Sequence, residues 1–241
     1  MVCRVLIADE HALFRDGLRA ILSMDKAFEV IAQAQDGHEA LIQAVARFPD
    51  VISMDLLMPG MSGIEATRQI KRCKPSIRIL AVTEQSSPDY VKEALMAGCD
   101  GYILKSSTSE AFVEAINFIR FGGVYIDPSI SEQVVLKCLI SPDNRVKNLG
   151  WNELTDKEQF IVRLVAEGHT NRSTAEILNK SVKTVEKLRS NLMAKLGLHG
   201  ATALVVKAID SGWVEKEHVG KVRCDLPPKR KKSVSLLPTT K

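Results

Sequence analysis

The feature that most narrows the fold is a rhythm in the first 122 residues, where short apolar runs alternate with amphipathic stretches of helix length. Val5-Leu6-Ile7-Ala8, Val51-Ile52-Ser53-Met54 and Gly101-Tyr102-Ile103-Leu104 are four-residue runs with almost no polar interruption. Such runs suit strands buried on both faces. Phe28 to Ala34 and Ile77 to Val82 bring the expected strands to five. Between them, Phe14, Leu18, Ile21 and Leu22 form one helical stripe, and Ala40, Leu41, Ala44 and Val45 a second. Further helices are expected from Gly63 to Arg72, from Pro88 to near Gly98, and from Glu110 to Arg120, the last stopped by Gly122-Gly123. Strand–helix alternation of this kind implies a doubly wound parallel sheet covered on both sides, with its crevice at the carboxyl ends of the strands.

That topology makes a chemical prediction. Asp9 and Glu10 follow the first strand, Asp55 the third and Lys105 the fifth, while Thr83 follows the fourth. All five should meet at one sheet edge. Three carboxylates repel one another, and one lysine cannot balance them. A hard divalent cation would, and Mg²⁺ suits a site with few carboxylates and several waters. The ligands expected are Asp9, Glu10, Asp55 and the backbone carbonyl of Leu57. A carboxylate can act as a nucleophile toward phosphorus, and Asp55 is the central one. Lys105 would offset charge on the transferring group, and the Thr83 hydroxyl would bond a phosphate oxygen. Taken singly, an aspartate after a strand is more often a turn or cap residue.

Beyond Asp127 the rhythm changes. A short helix is expected at 131–139 and a flexible linker at 141–144. From Leu154 to Gly212 only helices fit. Thr155 with Glu158 three residues on forms a capping box, followed by Phe160, Ile161, Leu164 and Val165 as the inward face. Gly168 ends that helix, Thr170 opens a second, and Ser181 caps a third that runs to Leu196. On the third, Val185, Leu188, Leu192 and Leu196 make the inward stripe; Lys183, Glu186, Lys187, Ser190 and Ala194 lie opposite. A helix of this width fits the DNA major groove, with Thr184, Arg189 and Asn191 beside that face suited to phosphates. Charge alone would favour a solvated amphipathic helix over a DNA-reading one.

Charge is distributed unevenly. Residues 1–128 hold 13 Lys+Arg against 17 Asp+Glu; residues 151–213 hold 9 against 7, and residues 214–241 hold 8 against 3. An acidic first half and a basic second half suggest different partners, the second a polyanion. The tail contains Lys229-Arg230-Lys231-Lys232 and few core formers, so it is expected to be disordered. No run approaches the roughly 20 apolar residues of a membrane span. The start of the chain runs into a strand without a leader pattern. The five cysteines are scattered without a CxxC pair. Together these predict a reduced, cytoplasmic setting.

Here the residues resemble a family. Ala8-Asp9-Glu10-His11, Met54 to Gly63, Thr83 and Gly101 to Lys105 are similar, in order and spacing, to the receiver domain of response regulators. Leu154 to Glu158, Ala166 to Arg172, Ala175-Glu176, Ser181 to Asn191 and Lys195-Leu196-Gly197 resemble the LuxR/NarL/FixJ-type DNA-binding domain. The resemblance implies a flavodoxin-like receiver at 1–124, a linker at 125–150, an all-α helix-turn-helix at 151–213 and a basic tail at 214–241. It implies a sensor histidine kinase as phosphodonor, Mg²⁺ dependence, Asp55 as acceptor, and Thr83 with Tyr102 as the switch. It also implies double-stranded DNA as partner, with the helix Thr202 to Ser211 as a dimer contact. Glu10, Glu84, Ser173, Thr174, Lys180 and Leu188 depart from the family pattern. The expectation is a DNA-binding regulator, not an enzyme. An aspartyl phosphatase would want an acid two residues after Asp55, where Leu57 stands. A constitutive DNA binder, its receiver serving as a docking module, is the competing reading.

Overall fold

The computed structural model describes residues 2–130, 154–198, 203–205 and 208. The expected short helix at 131–139, the linker at 141–144, most of the final helix and the basic tail lie outside these residues. In chain order the elements are β1 (Cys3–Ala8), α1 (Ala12–Ser23), β2 (Phe28–Ala34), α2 (Gly37–Arg47), β3 (Val51–Met54), α3 (Gly63–Cys73), β4 (Arg78–Thr83), α4 (Pro88–Ala97), β5 (Gly101–Leu104), α5 (Ser109–Arg120) and β6 (Tyr125–Ile126). Three further helices follow: α6 (Asp156–Ala166), α7 (Asn171–Ile177) and α8 (Val182–Lys195).

The strands form one parallel sheet in the order β2-β1-β3-β4-β5-β6. Alternation along the strands sorts side chains to two faces. Leu6, Ile52, Met54, Ile79, Ala81 and Tyr102 pack against apolar residues of α2, α3 and α4. Val5, Ile7, Leu80, Val82 and Ile103 pack against α1 and α5. The helices start where cap chemistry allows: the Asp36, Ser62 and Thr108 side chains accept from the backbone N–H three residues on. Val45, expected inward, is exposed; α2 seals the sheet with the smaller Ala40 and Ala44.

Five strands are expected, and among the described residues the sheet has six. β6 pairs Gly101 with Tyr125 and Tyr102 with Ile126, inside the stretch expected to be linker. Two residues are too few to show a period in sequence.

In the C-terminal helices the capping box is present: the Thr155 side chain accepts from Glu158 N–H, and Glu158 accepts from Thr155 N–H. Gly168 and Asn179 take left-handed backbone at the ends of α6 and α7. The core combines Ile161, Val162, Val165, Leu192, Leu196, Leu204 and Ala208 with Val124 from just before β6. Phe160, expected inward, is 42% exposed, and Val162 takes the inward position instead.

Candidate phosphorylation pocket and DNA-facing helix

The carboxyl ends of β1, β3 and β5 deliver the predicted charges to one place. Asp55 is 3% exposed and its N–H donates to the Ala8 carbonyl, which locks the end of β3 beside β1. The Lys105 ammonium bridges two carboxylates, 2.7 Å from Asp55 Oδ2 and 2.8 Å from Asp9 Oδ2. The remaining Asp55 oxygen accepts from the Leu57 N–H at 3.1 Å. Asp9 Oδ1 accepts from the His11 N–H at 2.8 Å and lies 3.2 Å from His11 Nδ1. Arg15 donates to the Asp9 and Glu10 carbonyls, pinning the turn between β1 and α1.

Burial raises the Asp55 carboxyl above its ordinary value, outweighing the Lys105 and Leu57 hydrogen bonds that pull it down; the charge on Asp9 adds to the rise. Burial alone would depress the Lys105 ammonium, but its bonds to Asp55 and Asp9 hold it above the usual lysine range. The pocket therefore has more negative charge than one ammonium satisfies.

Thr83 is buried at the end of β4, its oxygen facing the Gln85 N–H at 3.4 Å. Tyr102 is also buried, and its hydroxyl donates to the Gln85 carbonyl at 2.7 Å. The two predicted switch residues thus meet at one loop. Gly63 was not singled out as functional from sequence. A Cβ there would collide with the Asp55 carbonyl, so the loop after Asp55 can fold back only over glycine.

For a cation, the donors fit. Among the described residues, one group of His, Cys or acidic side chains brings its ligand atoms within 4.8 Å of one another: Asp9, His11 and Asp55. Lys105 already supplies a cation between the two carboxylates. Glu10, expected as a ligand, is exposed and outside this group; the imidazole of His11 folds back onto Asp9 in its stead.

On α8, Lys183, Thr184, Glu186, Lys187, Ser190 and Asn191 are all exposed, as a groove-reading face requires. Arg189 is not. It is 4% exposed, and its guanidinium donates to Asn171 Oδ1 at 2.6 Å. Here it ties α8 to α7, and burial pulls its pKa below the ordinary arginine value. The Asn171 N–H in turn donates to the Phe121 carbonyl beyond α5, at 2.9 Å. Among the described residues no helix is long and apolar enough to cross a membrane.

The comparisons agree with this geometry. Residues 5–117 match the response regulator receiver domain model, and residues 152–208 match the bacterial regulatory proteins, luxR family model. The transcriptional regulatory protein DegU of Brevibacillus brevis is 34% identical over 225 residues, covering 88% of this chain and 95% of that protein. A LuxR-family two-component response regulator from Aurantimonas sp. SI85-9A1 superposes with TM-score 0.55 at 33% identity, over 57% of this chain and 98% of its own. A structure of two RcsB dimers bound to two parallel DNAs gives TM-score 0.52 at 26% identity, over 89% of this chain and 100% of its own. The chain is therefore a two-component response regulator of the LuxR (NarL/FixJ) type, a receiver domain joined to a LuxR-type helix-turn-helix domain of the kind used in transcription regulation.

Proposed function

We propose that this regulator is switched by phosphoryl transfer from a sensor histidine kinase to Asp55, and that the switch governs DNA binding by α8. The observation that carries the reading is the pocket at the strand ends: Asp55 buried, Asp9 beside it, and the Lys105 ammonium on both. An Asp55 oxygen would form the new O–P bond while the P–N bond of the phosphohistidine breaks, its electron pair leaving on the imidazole nitrogen. Lys105 offsets the charge of the phosphoryl oxygens, and the Thr83 hydroxyl donates to one of them. Asp9, Asp55 and the Leu57 carbonyl are the residues that would hold Mg²⁺, with His11 or a rotated Glu10 adjoining. The bound ion supplies charge neutralisation at the transferring group.

On the output side, Lys183, Glu186, Lys187 and Ser190 would approach base edges, while Thr184 and Asn191 contact phosphates. The similarity to RcsB dimers bound to DNA supports a homodimer on double-stranded DNA, and a cytoplasmic setting goes with DNA as the partner. Incubation with a small phosphodonor and Mg²⁺ should add one phosphoryl mass, lost in Asp55→Asn. Retention of that mass by the variant would refute the assignment.

One observation favours a second reading, in which DNA binding does not depend on Asp55. Tyr102 lies inward with its hydroxyl held by the Gln85 carbonyl, and the Lys105 ammonium closes on Asp55, so the pocket is satisfied by its own groups as a docking module would be. Equal operator affinity of Asp55→Ala and the phosphodonor-treated protein would select that reading.

A further inference from the structure

Two features of the chain have no part in the pocket chemistry: an open groove beside it and the basic tail. The groove has a volume of about 420 Å³ and lies along α1, next to the mouth of the acidic pocket. Phe14, Leu18 and Ile21 line its apolar side with Leu13, and Glu84 and Lys105 stand at its pocket end. Leu13 is 86% exposed. Gly17 also lines the groove, and a Cβ there would meet nothing within 4 Å. Glycine inside a helix is destabilising relative to alanine. No neighbour among the described residues requires it here, and the space it leaves deepens the groove.

The pocket end is acidic. Asp9, Glu10, Asp55 and Glu84 share it with two cations, Lys105 on the aspartates and Arg15 turned to the Asp9 and Glu10 carbonyls. Glu10 and Glu84 are exposed and have no ion pair among the described residues. An apolar groove ending in uncompensated carboxylates suits a segment that is basic at one end and apolar at the other.

This chain carries such a segment. Lys229-Arg230-Lys231-Lys232 is followed by Ser233, Val234, Ser235, Leu236 and Leu237. It lies beyond the luxR-family match, which ends at residue 208. In extended form, Val234 to Leu237 would span roughly 10 Å, about the rise of α1 from Phe14 to Ile21. Residues 209–228 separate the basic run from Ala208, the last described residue. A stretch of that length reaches on the order of 70 Å, whereas a domain as long as the receiver has a radius of gyration of about 14 Å. Tethering supplies an effective concentration of about a millimolar, so a weak contact is enough to keep the groove filled.

We propose that residues 229–237 dock in the α1 groove, with their cations on Glu10 and Glu84 and their apolar side chains against Phe14 and Ile21, and that the docked tail covers the approach to Asp55. The docking is independent of the chemistry at Asp55; its effect on phosphoryl transfer rests on Asp55 being the acceptor.

The probe is a fluorescein-labelled synthetic peptide of residues 227–241. Its partner is the full-length chain carrying Lys229→Gln, Arg230→Gln, Lys231→Gln and Lys232→Gln, so that its own tail does not compete. Fluorescence anisotropy should show saturable binding with Kd below about 1 mM, weakening as salt rises. Adding Glu84→Gln should weaken it about two- to fivefold. Adding Gly17→Leu, which fills the groove with a better helix former, should abolish it. A peptide with Leu236→Ser and Leu237→Ser keeps every charge and should not bind, which separates docking from general attraction. In the otherwise wild-type chain, a benzoylphenylalanine photo-crosslinker in place of Leu13 should join residues 229–237 of the same chain, at a yield independent of protein concentration. Acetyl phosphate with Mg²⁺ should phosphorylate the fourfold variant at least about twofold faster than the wild type, the change expected when the tail fills the groove half the time or more. Peptide binding that survives Gly17→Leu, crosslinks only between two copies, or a peptide that binds duplex DNA and not this chain overturns the docking. Equal phosphorylation rates overturn the covering of Asp55. If neither chain takes a phosphoryl group, the Asp55 reading falls, and the docking is decided by the peptide and the crosslink.

Discussion

Thr174 offers the sharpest energetic prediction. It sits in α7 with no exposed surface, and its hydroxyl is the one buried side-chain polar atom among the described residues without a hydrogen-bond partner. Its N–H is satisfied by the Thr170 carbonyl, so only the hydroxyl is stranded. Burying an unpaired hydroxyl costs about 1–3 kcal/mol. Thr174→Val keeps the branched shape, replaces the hydroxyl by a methyl of similar size, and leaves helix propensity nearly unchanged. The expected gain is about 1–2 kcal/mol, the lower part of that range, because the methyl must find its own packing. For a unit of some 60–100 residues, each kcal/mol moves the midpoint by roughly 4–8 °C. Differential scanning calorimetry of the full chain should therefore show the affected transition rising by at least about 4 °C. Thr174→Ser, which keeps the stranded hydroxyl and deletes the methyl, should lower it. A valine variant that melts at or below the wild type would refute the reasoning and imply that the hydroxyl is paired in solution.

Further outcomes follow from the same physics. Phosphorylation needs the Asp55 anion, and burial holds its carboxyl above the ordinary value, so the rate with a small phosphodonor should climb with pH through a midpoint above about 4; a rate flat from there upward would contradict it. A raised carboxyl binds its proton longer in the folded state, so stability falls as pH rises through that window, and Asp55→Asn should melt higher than the wild type at neutral pH. Asp100→Ala strands the buried Lys71 ammonium and should cost about 3–5 kcal/mol in chemical denaturation; because Lys71 and Arg78 overcome burial to hold Asp100 below its ordinary value, its contribution should persist above about pH 4 and vanish on acidification. Lys187→Ala should weaken operator binding by about 1–3 kcal/mol and relax the preference for operator over random DNA, whereas Arg189→Ala should lower the melting temperature, because Arg189 is spent on Asn171; an Arg189 variant altered only in DNA affinity would speak against the buried role.

Much of this architecture is legible in the sequence because it rests on period and position. Strands β3 and β5 begin and end where their apolar runs do, and Asp36, Thr155 and Ser181 cap helices for the reason their side chains suggest. Asp9, Asp55, Thr83 and Lys105 could be placed together because a parallel sheet sends every strand's carboxyl end to the same edge. What escaped reading depends on distances between segments far apart in the chain. Arg189 looks like a phosphate ligand until Asn171, 18 residues away, is seen to accept its proton. Glu10 stands exposed while the imidazole of His11 closes on Asp9, a pairing that no spacing along the chain announces. Val45 and Phe160 fit the helical stripe but stand at its margin, where a small rotation decides burial.

The acidic clusters at the two ends of the sheet differ in charge balance, though both are built from aspartate and lysine. At the amino ends, the one carboxylate of Asp100 receives the Lys71 ammonium at 2.6 Å, the Arg78 guanidinium at 2.9 Å and the Ile79 N–H at 2.9 Å. Two cations serve one anion, and Asp100 is held ionised with nothing left to offer. At the carboxyl ends the ratio is reversed, since Asp9 and Asp55 share Lys105. Burial without enough positive charge lifts the Asp55 carboxyl, although each of its oxygens has one hydrogen-bond partner. A site in that condition gains from a metal ion and from any reaction that consumes a carboxylate charge by esterifying it. The stoichiometry of charge, more than the identity of the residues, separates the two clusters and supports the proposed assignment of Asp55 as acceptor.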